Sequence, residues 1–278
     1  MQCVPRIRTD RIRAGMTYSH VTDGTRLRTC VRRGGDRQVV LVHGWRQSHR
    51  LFDGVIAQLG KDVTVLAYDQ RGMGESDKPD DSYAFTRMGQ DLLDLLEVHG
   101  FDDCTVLGWS MGCTTALSAA TIETSRISRI ILMNGPLRLT RTSDFPYALS
   151  DEELAGYVEG LETGWPRHES GFFRDSLLPE NAELAGLLEY VGRQTPLDIG
   201  LRLVRAQADV DHRGTVERLD VPILAAYSRR DPYWPLGLAE WIADHARYGS
   251  MTTFEHSAHC APIEEPASVC QVVKDFAR

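Results

Sequence analysis

Three residues that together can open an acyl bond occur along this chain in the order serine, aspartate, histidine. The serine sits in Gly108-Trp109-Ser110-Met111-Gly112, the aspartate in Arg230-Asp231-Pro232 and the histidine in Ala258-His259-Cys260. A serine hydroxyl is a weak nucleophile until a base takes its proton, and imidazole titrates near enough to neutrality to take that proton and return it. A carboxylate on the other ring nitrogen fixes the tautomer and stabilises the imidazolium. The serine stretch reads G-x-S-x-G, between an apolar run at residues 104–107 and small residues at 113–121. Strand, sharp turn, helix is the context in which this pattern presents a nucleophile. Gly108 and Gly112 then sit where a Cβ would collide, and the helix start aims N–H groups at the serine. His256 is a rival base. His259 is preferred because it lies further beyond the preceding strand and leads into Ala261-Pro262-Ile263-Glu264-Glu265-Pro266.

For the three to meet, separate elements must deliver them to one place. Residues 17–18 and 26–32 alternate around Asp23-Gly24, a hairpin signal. Residues 39–42 form a continuous apolar run, the mark of a strand covered on both faces, and end in His43-Gly44-Trp45. Helix spacing follows over 50–59, a strand over 63–67, an amphipathic helix over 85–99 closed by Gly100, the serine strand, and a strand over 127–133 ending in Asn134-Gly135-Pro136. The alternation then stops. Residues 137–214 contain helical pieces (151–161, 182–191, 196–209) and no comparable buried strand. It resumes with a strand over 221–226, a helix over 236–246, a strand over 251–254, a loop over 255–260 and a closing helix over 266–276. This predicts an α/β fold with a mostly parallel central sheet and helices on both faces. Residues 1–136 and 215–278 would form the core and residues 137–214 a helical cap insertion. Ser110, Asp231 and His259 each follow a strand end, the edge of such a sheet where ligands bind.

The formal net charge of −8 argues against nucleic acid or an anionic membrane as partner. No apolar run resembles a signal peptide or a membrane span. The six cysteines show no C-x-x-C pair and read as reduced, packed thiols of a cytoplasmic protein. Arg6, Arg8, Arg11 and Arg13, interrupted by Asp10, read as a solvated arm. The histidines lack ligand spacing with one another, so no metal site is expected, and no cofactor. The expected partner is a small-molecule substrate, and a homodimer is left open.

His43-Gly44-Trp45, Asp69-x-Arg71-Gly72-x-Gly74-x-Ser76, the G-x-S-x-G turn, Asp231, and His259 with Glu264-Glu265-Pro266 together resemble the α/β-hydrolase fold superfamily over nearly the whole chain. The resemblance implies an oxyanion hole made by the backbone N–H groups of Trp45 and Met111, and a structural role for Asp69 and Arg71. It implies a serine hydrolase that cleaves an ester, lactone, thioester or activated C–C bond through an acyl-enzyme on Ser110. A narrower likeness, carried by Trp45-x-x-x-His49-Arg50-Leu51-Phe52, Gln90-Asp91-Leu92-Leu93 and Gly112-Cys113, is to the cofactor-free 3-hydroxy-4-oxoquinoline 2,4-dioxygenases. Under that alternative His259 would be a base for an oxygenase, lyase or cyclase. Those enzymes, however, carry their acid where this chain has Asn134, and flank the serine with histidine where it has Trp109 and Met111. A third alternative is a binding protein on a hydrolase scaffold. Trp109, Asn134, Trp165, Phe172 and Phe173 are expected around the substrate pocket, which favours an aromatic or lipophilic substrate. Trp165, Phe172, Phe173, Phe145 and Tyr147 could equally be the insertion's own core.

Overall fold

The computed structural model of the protein describes residues 16–80 and 83–277, so Cys3 and the arginine-rich arm lie outside the described residues. Eight strands form one sheet: β1 (Met16–His20), β2 (Arg26–Arg32), β3 (Arg37–Val42), β4 (Val63–Tyr68), β5 (Cys104–Trp109), β6 (Ile127–Met133), β7 (Ile223–Ser228) and β8 (Gly249–Phe254). Their order across the sheet is β1-β2-β4-β3-β5-β6-β7-β8. The first two pairings, β1 with β2 and β2 with β4, are antiparallel, and every later pairing is parallel.

The apolar runs fill both faces of the sheet because successive side chains alternate. Val40, Val42, Leu66, Val106, Ile130 and Leu132 face one side, where α2 (Phe85–His99), α3 (Met111–Ile122) and α9 (Leu236–His245) close the core. Val39, Leu41, Val65, Leu107, Ile131 and Met133 face the other, covered by α1 (Asp53–Gln58), the short α10 (Ala261–Glu264) and α11 (Pro266–Phe276). β4, β5 and β7 are buried along their whole length, whereas β8 is half open at the edge. α3 is buried from Met111 to Ala120, and its small residues suit it to lie between the sheet and α2, with the hydroxyls of Thr114, Thr115 and Ser118 each hydrogen-bonded.

Between β6 and β7 the chain runs through α4 (Asp151–Gly164), α5 (Arg167–Asp175), a 3-10 segment (Pro179–Leu184), α6 (Ala185–Gly192), α7 (Leu197–Ala208) and α8 (Arg213–Arg218). α4 opens on a capping box. Ser150 Oγ accepts the Glu153 N–H at 3.0 Å, and Glu153 accepts the Ser150 N–H at 2.6 Å. α5 and α8 have no counterpart among the sequence-based elements, because α5 offers only Phe172 and Phe173 as an apolar stripe and α8 is six residues long. These helices bond to the loops at the carboxyl ends of the strands: Trp45 Nε1 donates to Gly200 O at 2.9 Å, and His259 N to Ser176 O at 3.0 Å.

Candidate active site

The turn from β5 into α3 holds Ser110 at φ 55°, a left-handed conformation that a residue with a Cβ adopts only under constraint. The constraint is visible. The Ser110 N–H donates to Met133 O at 2.9 Å on the neighbouring strand, and Cys113 N donates back to Ser110 O at 2.9 Å. A Cβ on Gly108 would stand 2.5 Å from Gly112 O, and one on Gly112 would strike the Val42 carbonyl, so only glycine permits this close crossing. Met111 is the first residue of α3, and its N–H therefore has no acceptor within the helix.

His259 reaches Ser110 from the loop after β8. Its Nε2 lies 2.9 Å from Ser110 Oγ and its Nδ1 2.9 Å from Asp231 Oδ2. The Asp231 side chain is fully buried, and its second oxygen accepts the backbone N–H groups of Tyr233 (2.8 Å) and Trp234 (3.2 Å). The carboxylate thus cannot rotate away, and it leaves Nδ1–H as donor and Nε2 as acceptor for the serine proton. His256 is exposed and takes no part in this chain of bonds. The histidine loop is pinned by two carboxylates. Glu264 accepts from Ala258 N (2.9 Å) and Cys260 N (3.2 Å) with one oxygen, and from Leu178 N (2.8 Å) and Asn181 Nδ2 (3.1 Å) with the other. Glu265 accepts from Ser257 Oγ at 2.6 Å.

The turn after β3 is held from below. His43 is buried, and burial pulls it down to about 4, so it is neutral at physiological pH. Its Nδ1–H donates to Gly44 O at 2.8 Å and its Nε2 accepts the Gln70 N–H at 3.0 Å, while the Gln70 amide donates to His43 O at 2.6 Å. Asp69 accepts from His49 N (2.8 Å) and Glu75 N (2.7 Å), and Arg71 joins Asp91 (2.5 Å) to Asp23 (2.7 Å). These groups shape the loops around the site without touching it.

A cavity of about 260 Å³ opens over Ser110. Trp45, Met111, Tyr157, Phe172, Tyr233 and Trp234 wall it, with Leu139, Leu149, Leu154 and Val204 beyond and Gln207 and Glu153 as further polar contributors. No arginine or lysine is among the described residues lining it. A second space, about 20 Å³, also borders Ser110 and His259, against Trp109, Phe172 and Phe173.

Of the residues expected around the pocket, Phe172 lines both spaces, and Trp109 and Phe173 line the small one. Asn134 and Trp165 are corrections. Asn134 is fully buried and spends its amide on Ser228 Oγ (2.8 Å), Ser228 N (2.7 Å) and His259 O (3.1 Å), tying β6 to the histidine loop. Trp165 lies under the Arg46 guanidinium, 4.3 Å from it, away from Ser110. Phe145 and Tyr147 pack on each other, and Phe145 on Trp241, away from the cavity. Tyr157, Tyr233 and Trp234 were missed. For Tyr233 and Trp234 a signal existed, two aromatics directly after Asp231-Pro232 at a strand end.

Comparison with known proteins gives the same architecture. The family described as "alpha/beta hydrolase fold" matches residues 38–266. A pimeloyl-acyl-carrier-protein methyl ester esterase of Neisseria meningitidis is 25% identical over 246 residues, covering 86% of this chain and 93% of that one. The 3-oxoadipate enol-lactonase 1 of Acinetobacter baylyi is 24% identical over 243 residues, covering 86% and 88%. Among solved structures, an esterase from Exiguobacterium antarcticum superposes with a TM-score of 0.87 at 23% identity, covering 94% of this chain and 98% of its own.

Proposed function

The chain belongs to the alpha/beta hydrolase fold family, and from that premise we propose that it is a serine hydrolase of small, uncharged, lipophilic or aromatic esters and lactones. The observation that carries this reading is the unbroken relay Asp231–His259–Ser110, two bonds of 2.9 Å, opening into an apolar cavity. Ser110 Oγ attacks the acyl carbonyl while its proton passes to His259 Nε2. Asp231 holds Nδ1–H and stabilises the imidazolium. The carbonyl oxygen takes up negative charge against the Met111 and Trp45 N–H groups; losing one such donor typically costs about 3–4 kcal/mol of barrier lowering. The imidazolium then protonates the leaving alkoxide, and water, activated by the same imidazole, cleaves the acyl-enzyme.

The cavity is somewhat smaller than the roughly 300–1,000 Å³ usual for ligand sites, and its lining of aromatic and aliphatic side chains without a cation disfavours substrates that carry a carboxylate or phosphate. In this reading residues 137–214 act as a cap that supplies Leu139, Leu154, Tyr157, Phe172 and Val204 to the cavity, over a core of residues 1–136 and 215–278. The unbridged thiols of Cys30, Cys104, Cys113, Cys260 and Cys270 fit a cytoplasmic setting. The relatives reported above, an esterase of acyl-carrier-protein methyl esters and an enol-lactonase, lend support to ester and lactone chemistry and none to the cofactor-free oxygenase alternative.

The test is covalent labelling with a fluorophosphonate, followed by peptide mapping. The expected result is one adduct, on Ser110, with loss of p-nitrophenyl butyrate turnover in step with labelling and neither in Ser110→Ala. Active protein that takes no label on Ser110, or a Ser110→Ala variant that keeps its turnover, would overturn the reading.

A further inference from the structure

The reaction above uses the backbone of Trp45 and leaves the next residue unexplained. Arg46 has a side chain with 0 % exposure and a backbone at φ 51°, a conformation that disfavours side chains. Its Nη1 pairs with Glu169 Oε1 of α5 at 2.5 Å, and Glu169 is itself buried, at 2 % side-chain exposure. Its Nη2 donates to Gly192 O at the end of α6 (3.1 Å) and to Thr195 O (2.7 Å). Its stem fills the space that a Cβ on Gly200 of α7 would need, 2.7 Å away, and Trp45 Nε1 donates to that same glycine's carbonyl at 2.9 Å. Two consecutive residues of one turn are therefore gripped by three helices, and the N–H of the first is the group that faces the developing oxyanion.

We propose that Arg46, held by Glu169, is a positioning residue: it docks α5, α6 and α7 onto the turn after β3 and so fixes the direction of the Trp45 N–H. The inference rests on the serine-hydrolase reading and deepens it. A charge pair is a poor choice for stability alone, because well-packed apolar residues of similar volume do as well or better in an interior. What the pair adds is direction. The guanidinium donates two hydrogen bonds from Nη2 to the Gly192 and Thr195 carbonyls while Nη1 lies in ion-pair contact with the Glu169 carboxylate, a set of partners that an aliphatic side chain cannot engage. The cost of holding it is visible in the carboxyl group, since burial pushes Glu169 up to about 7 against the pull of Arg46.

The test separates geometry from folding with Arg46→Met, Glu169→Met, the double variant and Leu161→Ala. Leu161, buried in α4 and absent from both spaces beside Ser110, serves as the control for a weakened helical segment. Steady-state constants with p-nitrophenyl butyrate are measured at pH 8, well below each melting temperature. They are paired with inhibition by an alkyl trifluoromethyl ketone, whose hemiketal on Ser110 places an oxyanion in the same hole. The two single variants should lose tenfold or more in kcat, with KM within threefold, and bind the ketone more weakly by the same factor as kcat/KM falls. The double variant should melt above either single one, having no lone buried charge, and remain as impaired in kcat and ketone binding. Leu161→Ala should melt lower and keep both. A double variant with wild-type kcat and ketone affinity would overturn the proposal, and so would Leu161→Ala with the same loss as Arg46→Met. Failure of the hydrolase reading would look different, as wild-type protein that neither turns over esters nor binds the ketone.

Discussion

Replacing Asp231 by asparagine changes one atom pair and should remove most of the activity without unfolding the protein. One carboxylate oxygen accepts the N–H groups of Tyr233 and Trp234, at 2.8 and 3.2 Å, and the other accepts from His259 Nδ1 at 2.9 Å. An asparagine must give its only acceptor oxygen to the two backbone donors, since its NH₂ cannot face them. The NH₂ is then turned to His259 and donates to Nδ1. The imidazole proton is forced onto Nε2, where it points at Ser110 Oγ and leaves no base. A wrong tautomer of this kind in a serine triad costs about 10⁴ in kcat, or about 5.4 kcal/mol at about 1.36 kcal/mol per factor of ten. Both hydrogen bonds to the Asp231 turn survive, so the melting temperature should stay within a few degrees of wild type. The assay is kcat for p-nitrophenyl butyrate at pH 8 with a melting curve on the same sample. An Asp231→Asn variant that keeps more than a tenth of wild-type kcat would refute the tautomer argument and with it the role given to Asp231.

Glu264→Gln leaves one acceptor oxygen where two carboxylate oxygens now take four N–H donors, from Leu178, Asn181, Ala258 and Cys260. At roughly 1.5–3 kcal/mol for each bond to a charged group, the variant should melt several degrees lower and, because His259 sits between two of those donors, lose kcat more than KM. Glu169 gives a pH signature. Its folded-state value of about 7 exceeds the ordinary 4.5, so its contribution to stability is complete below about pH 4.5 and is lost as pH rises through 7. Arg46 and Arg193 favour the ionised form there, and burial and Glu189 oppose it. The melting temperature of wild type minus that of Glu169→Gln should therefore fall between pH 4.5 and 7 and level off above; a difference that rises over that range would contradict the assignment. Phe172 lines both spaces beside Ser110 and Phe172→Ala should join them, so kcat/KM across p-nitrophenyl esters should shift toward longer acyl chains, and an unchanged chain-length profile would mean that Phe172 is not a wall.

Much of the scaffold could be read from the chain because the signals are local. The apolar runs of β3 to β7 are strands buried on both faces, and α2, β6 and α11 lie where periodicity predicts them, at Phe85–His99, Ile127–Met133 and Pro266–Phe276. Ser110, Asp231 and His259 stand out for a related reason: each follows a strand, and parallel strands share one carboxyl edge. The pocket walls could not be read the same way. An aromatic side chain such as that of Trp165 signals burial but not the surface it faces, and a strand-end position such as that of Asn134 does not say where its amide points. Asn134 is a buried cross-tie and Trp165 a cover for Arg46, facts set by partners distant in sequence. Arg46 was invisible for the opposite reason. Arginine is exposed by default, and nothing local marks one whose counter-charge lies in a helix beyond β6.

The helices between β6 and β7 therefore do two jobs with one set of contacts. They wall the cavity through Tyr157, Phe172 and Val204, and they hold the reactive groups, gripping Trp45 and Arg46 through Gly192, Thr195 and Gly200, and the His259 loop through Ser176 and through Leu178 and Asn181, which donate to Glu264. Substrate shape and catalytic geometry are consequently not independent in this protein. Exchanging the segment for that of a relative would bring a new pocket together with a displaced Trp45 N–H and a loosened histidine loop, unless the residues facing Arg46 and Glu264 were carried across with it. A pocket wall such as Phe172 can instead be changed alone, because its side chain touches the cavity while its carbonyl still accepts from Ser176 Oγ at 2.8 Å and Tyr233 Oη at 3.2 Å.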